Sequence, residues 1–174
     1  MSKVAFKRRT YKEFFRDWGF SSIHLNLGFA EIEFEPNNDD MTAAWNLYVE
    51  LLTRISTQPI ADEDGDEASA LNSIYDLFGI TRMILREKGF LAENFTKISI
   101  IILNQVVRPF TSKWHKKSIS GAFDDKDECA LFRNELRDLQ KQLIQYTRML
   151  SELACVEDLT DLVCDNEMEE MNEK

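Results

Sequence analysis

Apolar residues recur along the chain at two periods, and each period predicts an element. Phe132, Leu136, Leu139, Leu143, Tyr146, Leu150 and Leu153 follow one another at alternating steps of four and three. This heptad seam predicts one long helix over Asp127 to Ala154, packed within its own bundle or paired with another chain. Leu71, Ile74, Tyr75, Phe78 and Leu85 predict a helix from Glu67 to Lys88, stopped by Gly89. Arg82 falls on the same stripe, and a buried charge there needs Asp76, Glu50 or a ligand anion as partner. Trp45, Tyr48, Leu52 and Ile55, widened by Ala44, Leu47 and Leu51, predict a helix from Met41 to about Thr57, closed by Pro59, with Arg54 beside its stripe.

The most apolar stretch lies between Phe95 and His115. Ile98, Ile100, Ile101, Ile102, Leu103, Val106 and Val107 cover most of a helical circumference, which predicts a central helix buried on all sides. The competing reading is a strand, favoured by the β-branched residues but opposed by the length of the run. Pro109 lacks a backbone donor and clashes with the preceding turn, so the helix should kink or stop there.

Towards the N-terminus the period changes to two. Ile23, Leu25 and Leu27 alternate with polar residues, and Ala30, Ile32 and Phe34 do so in the opposite phase. A hairpin over residues 21–36, turning at Gly28 and Phe29, resets that phase; a single strand bulged at Gly28 is the alternative. The hairpin would set His24 beside Glu33 and leave an open edge. Before it, Thr10 and Glu13 have the spacing of a capping box, and Phe14, Phe15 and Trp18 share a short helix that Gly19 ends. The lysines and arginines of this segment form either a phosphate-contacting arm or the polar side of a docked helix.

These elements add up to an α+β, mostly α fold, with an N-terminal β-hairpin packed on a bundle of about four main helices. The expected organisation is one domain over residues 1–157 and an acidic tail over 158–174, with Leu159, Leu162 and Val163 able to make one docking turn. A formal net charge of −10 opposes nonspecific attachment to nucleic acid or an anionic membrane. Only local basic contacts are left, at the N-terminal segment and at Lys113 to Lys117. Three separated cysteines without a CxxC pair, and no long apolar run, point to a cytoplasmic protein off the membrane. MSKVAFKRR has no apolar core after its charges and does not read as a secretory leader.

Catalytic and metal chemistry find no local pattern. With two histidines the chain offers no HExxH, CxxC or HxE spacing. Six scattered glycines make no phosphate loop, and the acidic loop Ala61 to Glu67 lacks the glycine and glutamate positions of a calcium loop. No catalytic residue, metal ligand or cofactor is therefore predicted. The candidate site is composite: Arg54, Arg82, Arg108, Lys113, Trp114 and His115 would form an anion pocket with an aromatic wall if the helices bring them together.

The strings WNLYVELLTRISTQP from Trp45, LNSIYDLFGITRMIL from Leu71 and LNQVVRPFTSKWH from Leu103 resemble the recurring core of small bacterial accessory proteins associated with conflict or antiphage gene clusters. The resemblance implies an accessory subunit and carries over no catalytic residue. The expected function is thus a non-catalytic adaptor in an antiphage defence system. Its expected partner is a protein of the same operon, or a second copy met through the 127–154 helix or the hairpin edge. The alternative is a sensor or binding module for a nucleotide or phosphate in the Arg/His/Trp pocket.

Overall fold

Capping chemistry sets where the helices begin. In α1 (Tyr11–Asp17) the Glu13 amide donates to Thr10 Oγ1, while the Thr10 amide donates to the Glu13 carboxylate. The computed structural model describes residues 4–54 and 66–164. After α1 come a single turn α2 (Leu27–Ala30), then α3 (Asn38–Leu52), α4 (Glu67–Lys88), α5 (Glu93–Ile102), α6 (Arg108–Ile119), α7 (Lys126–Leu153) and the short α8 (Asp161–Cys164). Strands β1 (Arg9–Thr10) and β2 (Glu33–Phe34) pair antiparallel, Arg9 opposite Phe34. The architecture is α+β and mostly α, a helical bundle with a small antiparallel pair at its N-terminal end.

The strand pair is not the predicted one. Asn26 accepts from the Gly28 amide through Oδ1, and its carbonyl accepts from Phe29 and Ala30, so the expected hairpin turn winds into α2. The 21–36 hairpin, its register and its open edge are therefore replaced by a bridge from β2 to a strand upstream of α1. An aromatic cluster holds that bridge: the Tyr11 ring stacks at 4.2 Å on both Phe29 and Phe34, and Phe6 packs on Phe34. His24 lies away from Glu33; its backbone exchanges two hydrogen bonds with the Gln105 side chain.

The N-terminal basic segment is partly neutralised. Buried Arg9 reaches Glu152 on α7 at 2.7 Å, and Trp18 Nε1 donates to the same carboxylate oxygen. The other end of the chain is pinned too. Arg148 bonds Thr160 and Asp161, and the Leu159 amide donates to the Tyr48 hydroxyl. Residues 158–161 of the predicted acidic tail thus pack on α3 and α7 through polar contacts, while Leu162, expected to dock, is exposed.

α3 and α7 form the main packing pair, with α4 and α5 against α3 and α6 against α4. All seven seam residues of α7 are buried inside the chain. α4 begins and ends where predicted, and α3 ends at Leu52 rather than Thr57; Ile55, Pro59 and the Ala61–Gly65 loop lie outside the described residues. The central stretch differs from expectation in its burial, and of the kink or stop expected at Pro109 the stop does not occur. It is amphipathic, with Ile98, Ile102, Leu103 and Val107 buried but Ile100 45% exposed. It also runs through Pro109 as helix. A π-helical turn over Leu103–Val107, in which the Arg108 amide donates to the Leu103 carbonyl, widens the ladder where proline supplies no donor.

Candidate functional site

α4 and α6 run antiparallel and show each other residues at matching helical spacing: Tyr75, Phe78 and Arg82 from α4, Arg108, Thr111, Ser112 and His115 from α6. Together they line an open groove of about 220 Å³. The lining contains two arginines, a histidine, three hydroxyl residues and a phenylalanine, and no carboxylate.

Each arginine is held by its inner nitrogen. Arg108 Nε donates to Asn104 Oδ1 at 2.8 Å, and its guanidinium sits 5.1 Å from the Phe78 ring centre. Arg82 Nε donates to the Phe78 carbonyl at 3.1 Å. Among the described residues no acid pairs with either, so their terminal amino groups remain available. An anion meeting both would gain charge-assisted, bidentate hydrogen bonds. At the other end of the groove the Tyr75 and His115 rings lie 24° from parallel with centres 6.4 Å apart. Tyr75 is 56% exposed.

Arg82, Arg108 and His115 therefore come together, as the composite site required, but Arg54, Lys113 and Trp114 do not join them. Arg54 ties the end of α3 to α4 through Glu50 at 3.0 Å and Asp76 at 3.8 Å. Arg82 is not on the buried stripe of α4; that stripe is Ala70, Leu71, Ile74, Leu77, Thr81 and Ile84. Trp114 is fully buried against Phe132 and Phe123, and its Nε1 donates to Glu135 at 2.9 Å. Lys113 pairs with the same Glu135 and Lys117 with Glu128, both ammonium groups lying near the Trp114 ring. The basic cluster is thus largely an internal clamp between α6 and α7. Burial opposes ionisation of Glu135, but the Lys113 and Trp114 hydrogen bonds and the two lysine charges outweigh it and hold its pKa below the usual carboxylate value.

Tyr75, Phe78, Thr111 and Ser112 were not expected in the site. Their signal was present: residues three, four and seven apart from Arg82 or Arg108 share its helix face.

Nucleophile chemistry is weakly supported. Ser112 and His115 both line the groove, but no hydrogen bond joins hydroxyl to ring. Cys129 sits beside the Glu67–Arg133 ion pair; burial first, then the Glu67 charge, pushes its thiol pKa up, the reverse of an activated thiolate. Among the described residues no three His, Cys, Asp or Glu side chains cluster to hold a metal, and no helix is long and apolar enough to cross a membrane. No protein-family model, curated protein or solved structure matches the chain.

Proposed function

We propose that this protein is a non-catalytic binding module and that the groove between α4 and α6 is where it takes an anionic group. The supporting observation is the acid-free lining. In a chain with ten more acidic than basic side chains, two arginines share a groove with no carboxylate beside them. Their mutual repulsion is relieved when an anion occupies the space between them. The test is titration calorimetry with inorganic pyrophosphate on the native chain and on Arg82→Ala. Arg82 is exposed, so the substitution should leave stability within about 0.5 kcal/mol while weakening binding at least severalfold. No heat of binding to the native chain, or equal affinity in the variant, would refute the reading.

A second reading, an accessory subunit that docks another protein of a defence system, draws on the corner between α4 and α5. There Leu91 and the 91% exposed Phe90 form apolar surface that no part of the described chain covers. Co-purification from the native host, repeated with Phe90→Glu, tests it. A partner lost in the variant supports the reading, and recovery unchanged by the variant removes the corner as its basis.

A further inference from the structure

The groove has two chemically distinct ends. On α6, Arg108 and His115 are seven residues apart, and on α4 so are Tyr75 and Arg82; at 1.5 Å per residue each pair spans about 10 Å. Because Tyr75 faces His115 and both arginines line the same groove on antiparallel helices, the aromatic pair marks one end and the guanidinium pair the other. The Phe78 ring lies between and is already covered by Arg108, which it holds in place. Tyr75 and His115 are exposed near-parallel rings that leave an aromatic platform open to solvent. An inorganic anion would use only the cationic end. A ligand that uses both needs a flat aromatic group and a phosphate chain separated by a short spacer.

We infer that the groove takes a nucleoside 5′-di- or triphosphate, its base stacked on the Tyr75 and His115 platform and its phosphates between Arg82 and Arg108. The inference rests on the anion-binding reading above and adds the identity of the other end of the ligand. Stacking on an aromatic side chain tolerates any base, so the site is expected to rank nucleotides weakly among themselves. The groove is smaller than pockets that enclose a drug-sized molecule, so the sugar should remain in solvent and its 2′ position should matter little. The Thr111 hydroxyl is taken by the Val107 and Arg108 carbonyls, whereas the exposed Ser112 hydroxyl is placed to donate to a bound phosphate or sugar.

The experiment compares ATP, GTP, CTP, UTP and inorganic tripolyphosphate by calorimetry on the native chain, on Tyr75→Leu and on Arg82→Ala. The expected result is that each nucleotide binds about five- to a hundredfold more tightly than tripolyphosphate, the span that one base–aromatic stack supplies. Tyr75→Leu should abolish that advantage while leaving tripolyphosphate affinity unchanged, and Arg82→Ala should weaken all five. Equal affinity for tripolyphosphate and the nucleotides would overturn the inference but leave the anion-binding reading standing. Binding of none of the five would remove both. A single-stranded oligonucleotide bound through Arg82 and Arg108 while all four nucleotides fail to bind would also overturn the inference, since the groove would then belong to a polymer.

Discussion

Asp40 offers a sharp test of how the bundle is held in register. Its carboxylate is fully buried and closes two helix starts at once. Oδ1 accepts from the Phe95 amide in the first turn of α5 at 2.9 Å. Oδ2 accepts from the Asn37 amide at 3.0 Å, completing the capping box of α3, and from Asn94 Nδ2 at 2.7 Å. Asn94 in turn accepts from the Tyr11 hydroxyl, so a hydrogen-bonded chain links α1, α5 and α3. Burial first, then the Asp40 and Glu93 charges, raises the Tyr11 pKa, which keeps that hydroxyl a donor. In Asp40→Ala the buried Phe95 amide loses its acceptor, costing about 1–3 kcal/mol, and the α3 cap loses about 1 kcal/mol. Asn94 retains a 3.3 Å bond to the Glu35 carbonyl and adds little. The expected loss is therefore about 2–4 kcal/mol, which for a chain of this size lowers Tm by roughly 5–15 °C. Asp40→Asn should recover only part of it, because its amide would direct a donor at another donor. Urea unfolding followed by far-UV circular dichroism measures the loss, and exchange of the Phe95 amide should quicken selectively. A loss below about 0.5 kcal/mol, within the range of ordinary surface substitutions, would refute the double-cap reasoning.

Two further predictions rest on local geometry. Glu135 has a lowered folded-state pKa, so its stabilisation is full above the usual glutamate range and is lost as pH falls from there through the lower folded value. The native chain should therefore lose more stability than Glu135→Gln between neutral pH and about pH 3, read as the shift in urea midpoint; parallel curves would show that the Lys113 and Trp114 clamp does not favour the ionised form. Gly89 leaves α4 at φ 62° and ψ −148°, a region that side chains rarely enter, with open space around it. Gly89→Ala should cost about 1–3 kcal/mol through the backbone alone, and a Tm equal to native would show that the turn relaxes.

What the residues disclosed depended on how local the deciding interaction is. α4 was legible to its last residue because Gly89 is a local stop, and α7 because seven seam positions agree on one face. The Thr10 and Glu13 box was legible for the same reason. The strand pair was not, since Glu33–Phe34 bonds a segment more than twenty residues upstream, and alternation names no partner. Ile32, which the alternation counted as inward, is exposed. The passage of helix through Pro109 depends on a π-helical turn that no residue type marks. At the site, residue type and position point to Arg82, Arg108 and His115 but do not separate Arg54, Lys113 and Trp114 from them. Which cation finds Glu50, Asp76 or Glu135 is a tertiary matter that spacing along the chain does not express.

The rotation of α4 explains why the groove exists. The helix carries two overlapping apolar stripes: one through Tyr75, Phe78, Arg82 and Leu85, the other through Leu77, Thr81 and Ile84. The fold buries the second, and Thr81 Oγ1 is left in the core without a hydrogen-bond partner. That hydroxyl costs about 1–3 kcal/mol. Burying the first stripe instead would take Arg82 out of water, and a buried charge without an ideally placed partner costs several kcal/mol. The lesser penalty decides the orientation. Once α4 turns Thr81 inward, Tyr75 and Arg82 must face outward and Phe78 stays partly exposed, opposite the face of α6 that carries Arg108 and His115. The groove is therefore a consequence of core packing.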